Sequence, residues 1–164
     1  MSEPISKLKS LASFNIRKIV GGKEPIKLIE ELINRRGYDP QECLREHTAD
    51  FCRWMVPLND NQELEILVDG LKKTHETSVY LGLNVAIVPL RRTQEFLVAA
   101  LELADGLVGI KVSLIGHYLV LSYCGPIGSM SPEDLEYSLS LVESQQSWFC
   151  ENLSNELGGI ELGE

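Results

Sequence analysis

No run of apolar residues in this sequence is long enough to cross a bilayer. The best, VGIKVSLIGHYLVLSY, is interrupted by Lys111, whereas a spanning helix needs about 20 apolar residues in succession. The opening residues, MSEPISKLKSLASF, lack the unbroken apolar core of a secretory signal. A cytoplasmic location and no membrane span are the resulting expectations. Cysteine is scarce. Cys43, Cys52, Cys124 and Cys150 form no Cys-x-x-Cys pair and have no histidine at zinc-finger spacing. Three of them lie in apolar runs and read as reduced, small hydrophobes. His47, His75 and His117 make no His-x-x-x-His pair, so no metal site is expected. No serine stands in a nucleophile elbow. The sequence therefore names no catalytic residue and no cofactor. Positive charge is absent from the last third of the chain: no Lys or Arg follows Lys111.

What is there is an ordinary soluble composition, 164 residues with 44% hydrophobic and 24% charged. A chain of this length buries roughly 70% of its unfolded surface and needs no disulfide or metal to fold. The net charge of −9 is unevenly spread. The first 37 residues hold eight Lys/Arg against four Asp/Glu, while eight carboxylates follow Met130 without one basic side chain. An acidic half of this kind repels phosphate backbones and suits basic partners. Residues 1–23 read as an N-terminal arm or extra helix, 24–158 as a single α+β domain, and 159–164 as a loose tail.

Residues 4–20 carry a weak amphipathic pattern ended by Gly21-Gly22. Pro25 suits a first helical position, Leu28, Ile29, Leu32 and Ile33 repeat at helical spacing, and Gly37 is a left-handed stop. Arg35 and Arg36 fall in the last turn, where cations meet the negative end of the dipole. Gln41 to Glu46 adds a helical turn. Three alternating segments follow. Cys52, Trp54, Val56 and Leu58 share one face, Leu64, Ile66 and Val68 the next, and Val79, Leu81, Leu83, Val85 and Ile87 the third. Period two over such lengths predicts an antiparallel meander with one buried face. Pro57 marks an edge or a strand end. A helix capped by Thr93 carries Phe96, Leu97, Ala100, Leu101 and Ala104, and ends at Gly106 or Gly109. Val108, Ile110, Val112 and Leu114 alternate, Gly116 turns the chain, and Leu119, Leu121 and Tyr123 return. The final helix has Ser131 as N-cap and Pro132 at its first position. Its stripe is Leu135, Leu139, Val142, Phe149, Leu153 and Leu157.

The reading is an α+β fold: an antiparallel twisted sheet, a three-strand meander plus a hairpin, with helices packed on one side, in the order α-βββ-α-ββ-α. The run ADGLVGIKVSLIGHYLVLSY, followed by the acidic capped helix SPEDLEYSLSLVESQQSWFCENL, resembles the class I type III secretion chaperone fold shared by the YbjN-like family, with uncharacterised cyanobacterial proteins as suggested kin. The resemblance spans about Pro25 to Leu157, and residues 1–23 have no counterpart in it. It implies a small adaptor, a homodimer, that holds a protein partner.

Candidate partner-binding residues lie on the second face of the meander: Phe51, Arg53, Met55, Leu67, Tyr80 and Asn84, with Ala86 and Val88. Aromatic, Met and Arg side chains are favoured in interface cores. A second reading places a small-molecule sensor or enzyme pocket near Cys124, His117 and Tyr123. A third gives the basic N-terminal region an RNA or membrane contact. Lys72-Lys73 and Arg91-Arg92 lack aromatic interleaving, so no nucleic-acid partner is expected. The loop GPIGSM is not a phosphate cradle, because Glu133, Asp134 and Glu136 crowd the turn an anion would approach, at roughly 1–4 kcal/mol per like-charge pair.

Overall fold

Proline and glycine set the punctuation of the fold as the sequence implies. The computed structural model describes residues 24–59, 62–72 and 77–157. The N-terminal arm, the Gly158-Gly159 stop, the tail and parts of two meander turns lie outside the described residues. Helix α1 (Pro25–Arg35) starts on Pro25 and buries Leu28, Ile29, Leu32 and Ile33. It ends in a Schellman motif: Gly37, at φ +86°, donates to Asn34 O, and Tyr38 N donates to Ile33 O.

A single helical turn, α2 (Pro40–Cys43), then leads into a short strand, β1 (Leu44–His47). The expected helical turn over Gln41–Glu46 is thus half replaced by an edge strand. Its exposed Arg45, Glu46 and His47 blunt that edge. Strands β2 (Phe51–Asn59), β3 (Gln62–Asp69) and β4 (Ser78–Ile87) form the expected meander. Helix α3 (Thr93–Ala104) carries the chain to β5 (Lys111–Ile115), and β6 (Tyr118–Pro126) returns to pair with β4. Meander and hairpin are therefore one antiparallel sheet in the order β1-β2-β3-β4-β6-β5. Helices cover one side of it. Beyond Trp54 the outer edge of β2 has no partner strand among the described residues, and Pro57 sits there without an N–H to leave unpaired.

The core lies between the sheet and α4 (Pro132–Glu156). Trp54, Ile66, Leu81 and Leu121 meet Phe96 from α3, Ile29 and Ile33 from α1, and Leu135, Leu139, Phe149 and Leu153 from α4. Ser131 caps α4 through a reciprocal box. Its hydroxyl accepts from Asp134 N at 3.1 Å, and its own N–H donates to Asp134 Oδ2 at 2.9 Å. Arg36 grips α4 as well, with Nη1 and Nη2 bonded to the two oxygens of Glu143 at 2.6 and 3.0 Å.

Four local expectations are corrected. Strict alternation along β4 stops at a bulge between Asn84 and Ala86. The extra residue turns Ala86 into the core, where it is 6% exposed, and Ile87 out to 42%. Ala86 and Val88 therefore do not belong to the outer face; Val88 packs against the core. The N-cap of α3 is Arg92, at φ 59°, and not Thr93. Thr93 is the first helical residue, its hydroxyl donating to Pro89 O at 2.6 Å. Finally, Leu101 faces outward from α3, and Val108 precedes β5 instead of starting it.

Candidate docking face on the sheet

Cross-strand neighbours point to the same side of a sheet, so register alone assembles the outer face. Phe51 lies opposite Asp69, which lies opposite Ser78. Arg53, Leu67, Tyr80 and Cys124 form the next row. Met55, Glu65, Gly82, Ser122 and Lys111 form the third. Asn84 opposite Val120 continues the surface. All six candidate residues thus stand on one face, the side that carries no helix among the described residues.

The face has a built centre. The Tyr80 ring lies flat over Gly82, where a Cβ would come within 2.6 Å of its Cε1. Only glycine leaves that space free, and the ring in turn covers the bare backbone. This places the Tyr80 hydroxyl near Ser122, buried and without a hydrogen bond of good geometry among the described residues. Burial, and secondarily the charge of Glu65, push its pKa above the usual tyrosine value. Arg53 Nε bonds Glu65 Oε1 at 2.6 Å across the same rows.

Beside this centre opens a concavity of about 230 Å³, lined by Arg53, Met55, Glu65, Gly82, Asn84 and Tyr118 among others. Leu67 and Tyr80 share the row of Arg53 at its border, and Phe51 lies one row further out. Ile115 and Tyr118 belong to its wall and are half exposed. Sequence reasoning missed these two. Their period-two pattern was visible, but joining them to the meander required the β4–β6 register.

The second candidate set is not brought together. Cys124 faces outward in the Tyr80 row, whereas Tyr123 is on the helix side with its ring over Gly125. His117 sits in the hairpin turn at the far end of β6, seven residues from Cys124, or roughly 20 Å at strand rise. Cys43, Cys52 and Cys150 are raised in pKa chiefly by burial, while Cys124 is exposed. Among the described residues no group of three His, Cys, Asp or Glu is arranged to hold a metal. The GPIGSM loop offers no anion cradle, since Asp134 already occupies the start of α4.

No family model matches the sequence, and no curated protein matches it. Solved structures do share its fold. An uncharacterised protein from Methanothermobacter thermautotrophicus superposes with a TM-score of 0.54 at 12% identity, over 77% of this chain and 96% of that one. A chain of the HopA1–SchA chaperone–effector complex gives 0.51 at 13%, over 76% and 91%. A chain of the ExsC–ExsE complex gives 0.51 at 9%, over 78% and 92%. At such identities the likeness is one of fold, and the chain has the type III secretion chaperone-like fold.

Proposed function

We propose that this chain is a non-enzymatic adaptor that holds a protein partner against the outer face of its sheet. The carrying observation is the register that gathers Phe51, Arg53, Met55, Leu67, Tyr80 and Asn84 on a face that no helix covers among the described residues. Such a mixture of aromatic, Met and Arg side chains around one ion pair is suited to protein contact. Two solved structures of this fold are a chaperone–effector complex and the ExsC–ExsE complex, which supports the same reading. We further propose a homodimer. The outer edge of β5, unpaired among the described residues, and the exposed Leu114, Ile115 and Tyr118 support it, since an open edge with apolar flanks pairs with a second strand. Four free thiols support a reducing compartment, the cytoplasm. Residues 24–158 as one domain, with an N-terminal arm and a C-terminal tail, and the YbjN-like kinship belong to the same proposal.

Affinity purification of the tagged chain, with mass spectrometry, identifies the partner. Met55→Asp and Tyr80→Ala should then abolish its recovery while circular dichroism stays unchanged. Equal recovery by folded variants would remove the sheet face from consideration.

A further inference from the structure

A second surface lies on the helical side, where the C-terminal half of α3 meets the middle of α4. At its centre stand Val108, 73% exposed, and Trp148, 41%. Packing holds them in place. The Trp148 ring lies beside Gly106, where a Cβ would come within 3.1 Å of it. Gln145 clamps both backbone groups of Val108, at 3.0 and 2.9 Å. Glu102, Asp105 and Glu151 stand exposed around this centre, without an ion pair among the described residues. Helix α3 has no basic residue in its last turn, so the negative end of its dipole adds to these charges. From Thr93 to Glu156 the one cation is Lys111, placed on the outer side of the sheet by its pairing with Ser122.

An apolar centre with an acidic rim fits an apolar segment that carries cations. The chain supplies one. Residues 1–23 hold Ile5, Leu8, Leu11, Ile16 and Ile19 together with Lys7, Lys9, Arg17, Lys18 and Lys23, against Glu3 alone. Several cations elsewhere are already engaged: Arg35 by Glu31, Arg36 by Glu143, Arg53 by Glu65 and Arg92 by Glu95. The segment leads straight into α1, which packs on α4. At about 3.3 Å per extended residue it can reach any point along α4.

We propose that residues 1–23 dock in cis on this patch, their apolar side chains over Val108 and Trp148 and their cations against Glu102, Asp105 and Glu151. A Lys or Arg over the Trp148 ring adds a cation–π contact. This inference is independent of the sheet-face reading.

The two tryptophans make it testable, because Trp54 is 1% exposed and out of reach of a quencher. Acrylamide quenching of the full chain therefore reports Trp148. Shielding at low salt should be lost near 0.5 M salt, where the screening length falls to roughly 4 Å, with the quenching slope rising about twofold. The full-length variant Lys7→Glu, Lys9→Glu, Arg17→Glu, Lys18→Glu should show the high slope at every salt concentration. Adding Glu102→Lys, Asp105→Lys and Glu151→Lys to it should restore the low slope. Slopes that ignore salt and both charge reversals would overturn the proposal. Shielding that grows with protein concentration would assign the patch to a second copy, and shielding that requires an added basic peptide to a foreign partner; either overturns docking in cis. Unchanged circular dichroism and Trp54 emission serve as the folding control.

Discussion

Tyr80 and Gly82 depend on each other, and this sets the sign of a substitution that would otherwise be favourable. Alanine in a strand interior is normally better than glycine by roughly 0.5–1 kcal/mol. Here the added Cβ would meet the Tyr80 ring at 2.6 Å, so the ring must swing off the sheet. Gly82→Ala should then destabilise the protein by about 1 kcal/mol, at the low end of overpacking costs. In a Tyr80→Ala background the same change should become neutral or stabilising, because nothing is left to displace. Urea denaturation of the four proteins of this cycle measures the coupling; additive effects would mean that the ring does not occupy the space over Gly82. The same device recurs at Tyr123 over Gly125 on the opposite face.

At the scale of elements, the β4 bulge makes a prediction that simple alternation reverses. Alternation puts Ile87 inward and Ala86 outward, whereas the register shift after Asn84 buries Ala86 and exposes Ile87. Ala86→Asp should cost several kcal/mol through an unpaired buried charge, while Ile87→Asp should change stability by less than about 1 kcal/mol. Thermal melts of the pair decide between the two arrangements. The bulge was illegible in the sequence because Val85, Ala86, Ile87 and Val88 are all apolar, and such a run has no polar residue to mark its outer face. By contrast α1 and α4 were legible from their ends. Pro25, Gly37, Ser131 and Pro132 each act through local backbone chemistry that needs no tertiary partner. The start of α3 was read one residue late because Arg92 takes a left-handed conformation that its residue type does not announce. Arg36 was read as a partner of its own helix dipole, yet it bonds Glu143, 107 residues away. The candidate face had the same division. Period two identified its members on β2, β3 and β4, but Ile115 and Tyr118 join only through a pairing formed across the α3 crossover.

The whole molecule stores its titratable burial on the alkaline side. Cys43, Cys52 and Cys150 are raised from 9.0, and Tyr80 from 10.0, in each case mainly because burial disfavours the anion. The thiols and the phenol are neutral when protonated, so the folded chain keeps protons that the unfolded chain gives up first. With more protons bound to the native state, stability decreases as pH rises. The contribution is complete below pH 9, where unfolded thiols are still protonated. It is lost progressively above that, with Tyr80 joining above pH 10. Urea midpoints should therefore be flat up to about pH 8.5 and fall clearly by about pH 10.5. A variant with Cys43→Ala, Cys52→Ala and Tyr80→Phe should start from a different midpoint but show a shallower alkaline slope, because three of the four proton-linked groups are gone. A wild-type midpoint constant across that range would mean that these side chains ionise in the fold as freely as in water. It would also mean that the seal between the sheet and its helices, which the buried thiols depend on, is open to solvent.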